Sequence, residues 1–173
     1  MWLSTRYTWL SFSAMAPERP PGHVLPFLLA EALRGTIDRL HAGLAAQGHP
    51  GVRPVHGFAL QAIGPDGVSA VELGRRLGVS KQAAGKTVAG LEALGYARRT
   101  PDPADARVQR ISRTPRGEDC LRRSAAILAA DRARLAGQVG EDRLRAAEEV
   151  LLALAGGRPG AGIPGLPGWL AEG

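Results

Sequence analysis

The sequence predicts a mainly α-helical fold carrying one small β-hairpin, and three observations support that expectation. Apolar residues make up 45% of the 173-residue chain but aromatics only 5%, so the core must be assembled from Leu, Ala, Val and Ile, a composition closer to packed helices than to a β-sandwich. Apolar side chains recur at three- and four-residue spacing through most of the middle of the chain. Two helical stretches flank the turn "LGVS" and are followed by two short extended stretches around a Pro- and Asp-rich loop.

Residues 25–47 form a long helix with Leu29, Leu33, Ile37, Leu40 and Leu44 on one stripe. The loop "GHPGVRP" leads to "VHGFALQAI", a short helix whose Phe58, Leu60 and Ile63 face the core, and "GPDGVS" then breaks the chain. Ser69-Ala-Val-Glu72 reads as a capping box, in which the serine accepts from the third helical N–H and the glutamate reaches back to the cap. The helix it opens near Ala70 buries Ala70, Leu73, Gly74 and Leu77 and stops at Gly78, the residue most at ease in a left-handed conformation.

Ser80 caps the next helix, which makes the spacing that of a helix-turn-helix. On its wheel Ala84, Val88, Leu91 and Gly95 fall together, opposite Gln82, Lys86, Ala89 and Ala93. Residues 96–100 and 107–112 form a hairpin, a wing beside the two helices. Thr114 caps a further helix with Pro115 at its first position; it runs over 116–138 with Leu121, Ile127, Leu128 and Leu135. The last helix, 141–155, carries Leu144, Ala147, Leu151 and Leu154.

The net charge of +6 is concentrated in one segment. Residues 69–117 hold ten Lys and Arg against four acids, while the rest of the chain holds twelve of each. A basic segment centred on a helix-turn-helix points to nucleic acid. Gly85 and Gly90 each cost its second helix about 1 kcal/mol relative to Ala, a cost with a purpose if a slim helix must enter a major groove about 12 Å wide. Gln82 has the chemistry to pair with adenine, Lys86 to reach guanine or a phosphate, and Ala89 to touch a thymine methyl. The competing explanation is a genome rich in Gly, Ala, Arg and Pro codons, and both stand.

These residues carry a resemblance. "ELGRRLGVSKQAAGKTVAGLEALGYARR", then "DPADAR" at the wing and "SRTPRG" leading into the next helix, resemble the winged helix-turn-helix of the MarR family of bacterial transcriptional regulators over residues 53–117. The flanking helices extend the likeness over residues 25–155. The resemblance implies a winged helix-turn-helix plus a helical dimerisation region built from residues 25–47 and 116–155. It implies a homodimer on a palindromic double-stranded DNA operator, acting as a repressor relieved by a small-molecule effector. Ser80, Lys81, Gln82 and Lys86 take the recognition-helix positions, Arg107 that of a wing-tip arginine entering the minor groove, oriented by Asp105, and Arg110 adds to the DNA-binding set. An effector cleft would be lined by Leu40, Leu44, His56 and Phe58. Arg110 and Arg113 depart from the family, which has apolar strand residues there; Ala106 stands for a charged residue and Gly85 for one with a side chain. Those departures shift affinity toward phosphates and shape.

The remaining features narrow the function class. A lone Cys120 excludes an internal disulfide framework and fits a reducing compartment, the cytoplasm; it reads as a buried small hydrophobe, with a Cys120-based redox sensor as an alternative function. His23, His41, His49 and His56 form no H-x-x-x-H pair, so no metal or other cofactor is expected. No phosphate loop, nucleophile elbow or placed carboxylate pair supports an enzyme, and no apolar run is long enough to span a membrane. A winged-helix module that binds protein without an operator is the other alternative. Residues 1–22 read as a disordered extension, 23–155 as the MarR-like domain and 156–173 as a flexible Gly- and Pro-rich tail.

Overall fold

The computed structural model describes residues 21–102 and 108–154. Residues 1–20 and 156–173, which hold nearly all of the expected extension and the whole tail, lie outside the described residues, as do Asp105 and Arg107. The chain divides into two units, Met1–Gly35 and Thr36–Gly173. The first holds a 3₁₀ turn, Gly22–Val24, and the opening turns of helix α1 (Leu25–Ala46), where Leu25, Phe27, Leu28, Leu29 and Leu33 are all exposed.

The second unit contains the rest of α1, then α2 (Pro54–Ile63), β1 (Val68–Ser69), α3 (Ala70–Leu77), α4 (Lys81–Ala93), β2 (Ala97–Pro101), β3 (Gln109–Arg113), α5 (Pro115–Val139) and α6 (Glu141–Leu154). The expected helices are present, and the two wing strands lie one or two residues further on than their spacing suggests. Strand β1 is an addition: "GPDGVS" does turn the chain, but its end pairs antiparallel with β3, giving the sheet order β1-β3-β2 with Val68 opposite Ile111. Gly67 makes this possible. Its φ is +74°, and a Cβ there would lie 2.7 Å from the Ile111 carbonyl oxygen.

Local chemistry sets the helix-turn-helix. Ser69 Oγ accepts from the Glu72 N–H at 3.2 Å and Ser80 Oγ from the Ala83 N–H at 3.1 Å. The capping box is only half made, because Glu72 turns outward to Arg75 and Arg76, both at 2.8 Å. Two guanidinium groups one turn ahead offer stronger bonds than a single neutral N–H. Gly78, with φ +68°, ends α3 as expected. Gly74 keeps the turn tight, since a Cβ would sit 2.9 Å from the Val79 carbonyl oxygen. Gly95 is not on the buried face of α4: it follows the helix, exposed, with φ +75°.

One core joins these elements, with Leu60 and Ile63 from α2, Leu73 from α3, Leu91 from α4, Tyr96, and Ile111 from β3 all fully buried. Each such aliphatic side chain contributes roughly 1.5–3 kcal/mol of transfer free energy. Phe58 packs against this core partly buried. The wing is locked to α5 at its root: Thr114 Oγ1 accepts from the Gly117 N–H and donates to the Gly95 carbonyl at 2.6 Å. The second half of α1 meets α5 through Gly43 and Ile127, and Arg39 forks onto Asp131 at 2.9 and 3.0 Å. On α5 and α6 the apolar spacing does not bring full burial. Leu144 is buried, whereas Leu128, Leu135, Leu151 and Leu154 are exposed.

Candidate nucleic-acid interface

Helix α4 packs on α3 through Ala84, Val88 and Leu91, and this turns Lys81, Gln82, Lys86, Ala89 and Ala93 into solvent. Ser80, at the cap, is exposed as well. Four of the residues picked out in the sequence are therefore together. Arg110 is not among them: it lies on β3, where its Nε donates to the Asp66 carbonyl at 2.8 Å and its Nη1 reaches Asp102 at 3.1 Å. It braces the β1 turn against the base of the wing, whose hairpin Asp102 also closes through its N–H to the Val108 carbonyl. The placement of Asp105 and Arg107, beyond that base, is outside the described residues.

The charge excess of residues 69–117 now resolves into spent and unspent charges. Arg75 and Arg76 bond Glu72, whose carboxyl they hold down to about 2, Arg75 contributing most. Arg113 pairs with Glu118 at 3.2 Å, with its Nε buried and unbonded. Arg116 donates to the Gly48 carbonyl and lies 5.0 Å over the Tyr96 ring. Lys81, Lys86 and Arg98 are exposed, and among the described residues none of the three has a hydrogen-bond or ion-pair partner. An unpaired cation offers its full charge to a polyanion without first breaking a bond.

Sequence reasoning missed the two arginines that open the wing. Arg99 reaches from β2 to the shoulder of α4, with Nη1 2.8 Å from Glu92 and Nη2 donating to the Gly85 carbonyl at 3.2 Å. Arg98 points the other way, as alternation along a strand requires. The "RR" in an extended stretch was the available signal, since one of two consecutive side chains must face the neighbouring helix. The two glycines of α4 also differ. A Cβ on Gly90 would come within 3.1 Å of His56 Nε2, so close packing against α2 accounts for it; a Cβ on Gly85 would meet no atom within 4 Å. No packing contact in the described protein requires a glycine at 85.

Beneath α4, Leu44 and His56 are buried while Leu40 and Phe58 are half-buried against the same core. Burial, then the charges of Arg53 and His41, push the His56 pKa down, so the ring is neutral. Its Nδ1 accepts from the Arg53 N–H at 3.2 Å, which leaves the ring proton on Nε2, 3.5 Å from Arg53 Nη2. A second buried histidine, His49, lies between the Tyr96 hydroxyl (3.2 Å) and Asp119 (2.9 Å), whose carboxyl Arg123 and His49 hold down to about 2. Cys120 is buried, and burial pushes its thiol up, away from the reactive thiolate. Among the described residues no three His, Cys, Asp or Glu side chains gather as a metal site, and no helix is long and apolar enough to cross a membrane.

Comparison with known proteins agrees with this geometry. Residues 51–108 match the model of the MarR family. A transcriptional regulator from Thermotoga maritima superposes with a TM-score of 0.55 at 26% identity, covering 78% of this chain and 93% of that one. A MarR family protein of Mycobacterium tuberculosis in complex with p-aminosalicylic acid gives 0.54 at 23% identity, covering 76% and 98%. An S. aureus MepR mutant bound to an oligodeoxyribonucleotide gives 0.54 at 15% identity, covering 77% and 96%. No curated protein matches the sequence.

Proposed function

We propose, on the match of residues 51–108 to the MarR family model, that this chain is a MarR family transcriptional regulator and acts as a dimeric, sequence-specific DNA-binding repressor released by a small molecule. The observation that carries the proposal is the exposed strip of α4. Ser80, Lys81, Gln82 and Lys86 are all exposed at the cap and in the first two turns of the helix, and the two lysines have no partner among the described residues. Gln82 and Lys86 read base edges, Lys81 and Arg98 hold phosphates, and Arg107 at the wing tip, oriented by Asp105, enters the minor groove. Arg110 acts by bracing the wing. The MepR neighbour was seen with an oligodeoxyribonucleotide bound, which supports this mode. The protein acts as a binding protein and not as an enzyme, in the cytoplasm with its DNA.

A second copy of the chain would cover the apolar side chains that α6 leaves in solvent, Val150, Leu151, Leu152 and Leu154. Two such copies present two α4 helices to a palindromic operator. For the effector we propose a small carboxylate taken up beside Leu40, Leu44, His56 and Phe58. The M. tuberculosis neighbour was seen in complex with p-aminosalicylic acid, a small carboxylate, which supports this class of ligand.

Selection of bound fragments from a random DNA pool, at two salt concentrations, tests the reading. The expected result is an inverted repeat with half-sites about one helical turn apart and an affinity that falls steeply with salt. Absence of any enriched sequence, with or without an aryl carboxylate, would overturn it.

A further inference from the structure

Of the 22 basic residues in the chain only two are lysines, Lys81 and Lys86. Both are on α4, both are exposed, and neither is ion-paired with a described residue. Where a position needs only a positive charge, a chain this rich in arginine uses arginine. Both lysines stand on a helix whose outward charge is unpaired among the described residues. The chemical difference between the two side chains is reactivity: a guanidinium stays protonated and inert, whereas the lysine amine accepts acyl groups and loses its charge in doing so.

We propose that Lys81 and Lys86 form an acylation switch, in which an activated acyl donor, an acyl thioester or an acyl phosphate, converts both amines to amides and releases the protein from DNA. The inference rests on the DNA-reading role proposed for α4. In each transfer the deprotonated Nζ attacks the acyl carbonyl carbon, a C–N bond forms, the C–S or C–O bond breaks, the thiolate or phosphate leaves with the electron pair, and the amine proton passes to water. Two of the six excess positive charges disappear, both from the helix proposed to meet DNA. The chain has no other side-chain amine to absorb the reagent, so lysine acylation of this protein is bound to act on α4. Bound DNA, lying over the same helix, protects both amines. The acyl donor and the operator therefore compete.

The test incubates the full-length protein with acetyl phosphate in one arm and acetyl-coenzyme A in the other, with and without excess duplex DNA. Peptide mass mapping locates acetyl groups, and anisotropy titrations measure DNA affinity across a salt series. Acetylation of Lys81 and Lys86 by at least one donor is expected, suppressed by DNA, with affinity at fixed salt falling at least about tenfold and the salt slope shrinking by about two. The arm that reacts identifies the donor. Lys81→Gln/Lys86→Gln should reproduce the acetylated protein, and Lys81→Arg/Lys86→Arg should keep binding after either treatment. Doubly acetylated protein that binds DNA within about twofold of the untreated protein, or lysines that neither donor modifies in the free protein, would overturn the proposal. Untreated protein that binds no duplex at all would instead overturn the DNA-reading role of α4.

Discussion

Helices α3 and α4 look alike in sequence and differ in what they leave over. Both are opened by a serine whose Oγ accepts from the third N–H, both bury one apolar face in the same core, and each carries two basic residues on its exposed side. In α3 those charges are closed on themselves: Glu72 takes Arg75 and Arg76, and Arg76 also donates to the Ala62 carbonyl. In α4 the one acid, Glu92, is taken by Arg99 of β2, and Lys81 and Lys86 are left unpaired among the described residues. The comparison teaches that net charge locates a binding region only coarsely. What a ligand meets is the charge that remains after the protein has paired the rest, and one acid at the right spacing decides which of two helices is available.

The comparison can be broken where the helices are claimed to be equal. Truncation at the buried face should be the largest effect: Leu73→Ala and Leu91→Ala should each cost about 2–5 kcal/mol in denaturant unfolding, because both side chains are fully buried in the same core. A cost below about 1 kcal/mol at either would mean that helix is not held as described. The caps come next. Ser69→Ala and Ser80→Ala should each cost about 1 kcal/mol. Equality is the point, since a completed capping box at Ser69 would make its loss the greater of the two.

Smaller effects sharpen the contrast. Gly85→Ala meets open space and restores helix propensity, so the protein should gain up to about 1 kcal/mol. A simultaneous loss of DNA affinity would show that the glycine serves the groove, and unchanged affinity would leave codon usage as its explanation. The smallest is acid titration of α3. Glu72 in the folded protein titrates at about 2, below its ordinary 4.5, so its stabilising pairs are intact above that ordinary value and are lost as pH falls from there toward 2. Glu72→Gln should flatten that part of the stability profile; an unchanged acid limb would show that the Arg75 and Arg76 pairs do not persist in solution.

What was legible in the sequence was local. The serine caps, Gly78, the Thr114-Pro115 start and the wheel of α4 each depend on residues within one or two turns, and each, Gly95 apart, stands in the structure where the sequence put it. Strand β1 was hidden because two residues carry no alternation, and its partner Ile111 is over forty positions away. The half-made box at Ser69 was hidden because the rule describes one pair of residues and Arg75 and Arg76 compete for the same glutamate. Arg110 reads in the sequence as DNA-facing charge, and Arg113 as a departure from the apolar residues the family has on that strand. The first proves to be braced between Asp66 and Asp102 and the second paired with Glu118. Nor did the helical spacing of Leu128, Leu135, Leu151 and Leu154 say what covers them, since periodicity fixes a face and not its partner.

The most direct measurement is a paired titration of one duplex DNA, at one salt concentration, with Lys81→Ala/Lys86→Ala and with Arg75→Ala/Arg76→Ala. Each variant removes two positive charges from adjacent helices, so bulk electrostatics treats them nearly alike. If the unpaired face of α4 is the DNA reader, the lysine variant loses at least about tenfold in affinity and the arginine variant stays within about threefold of the parent. Equal losses, or a greater loss from the arginine variant, would contradict the account.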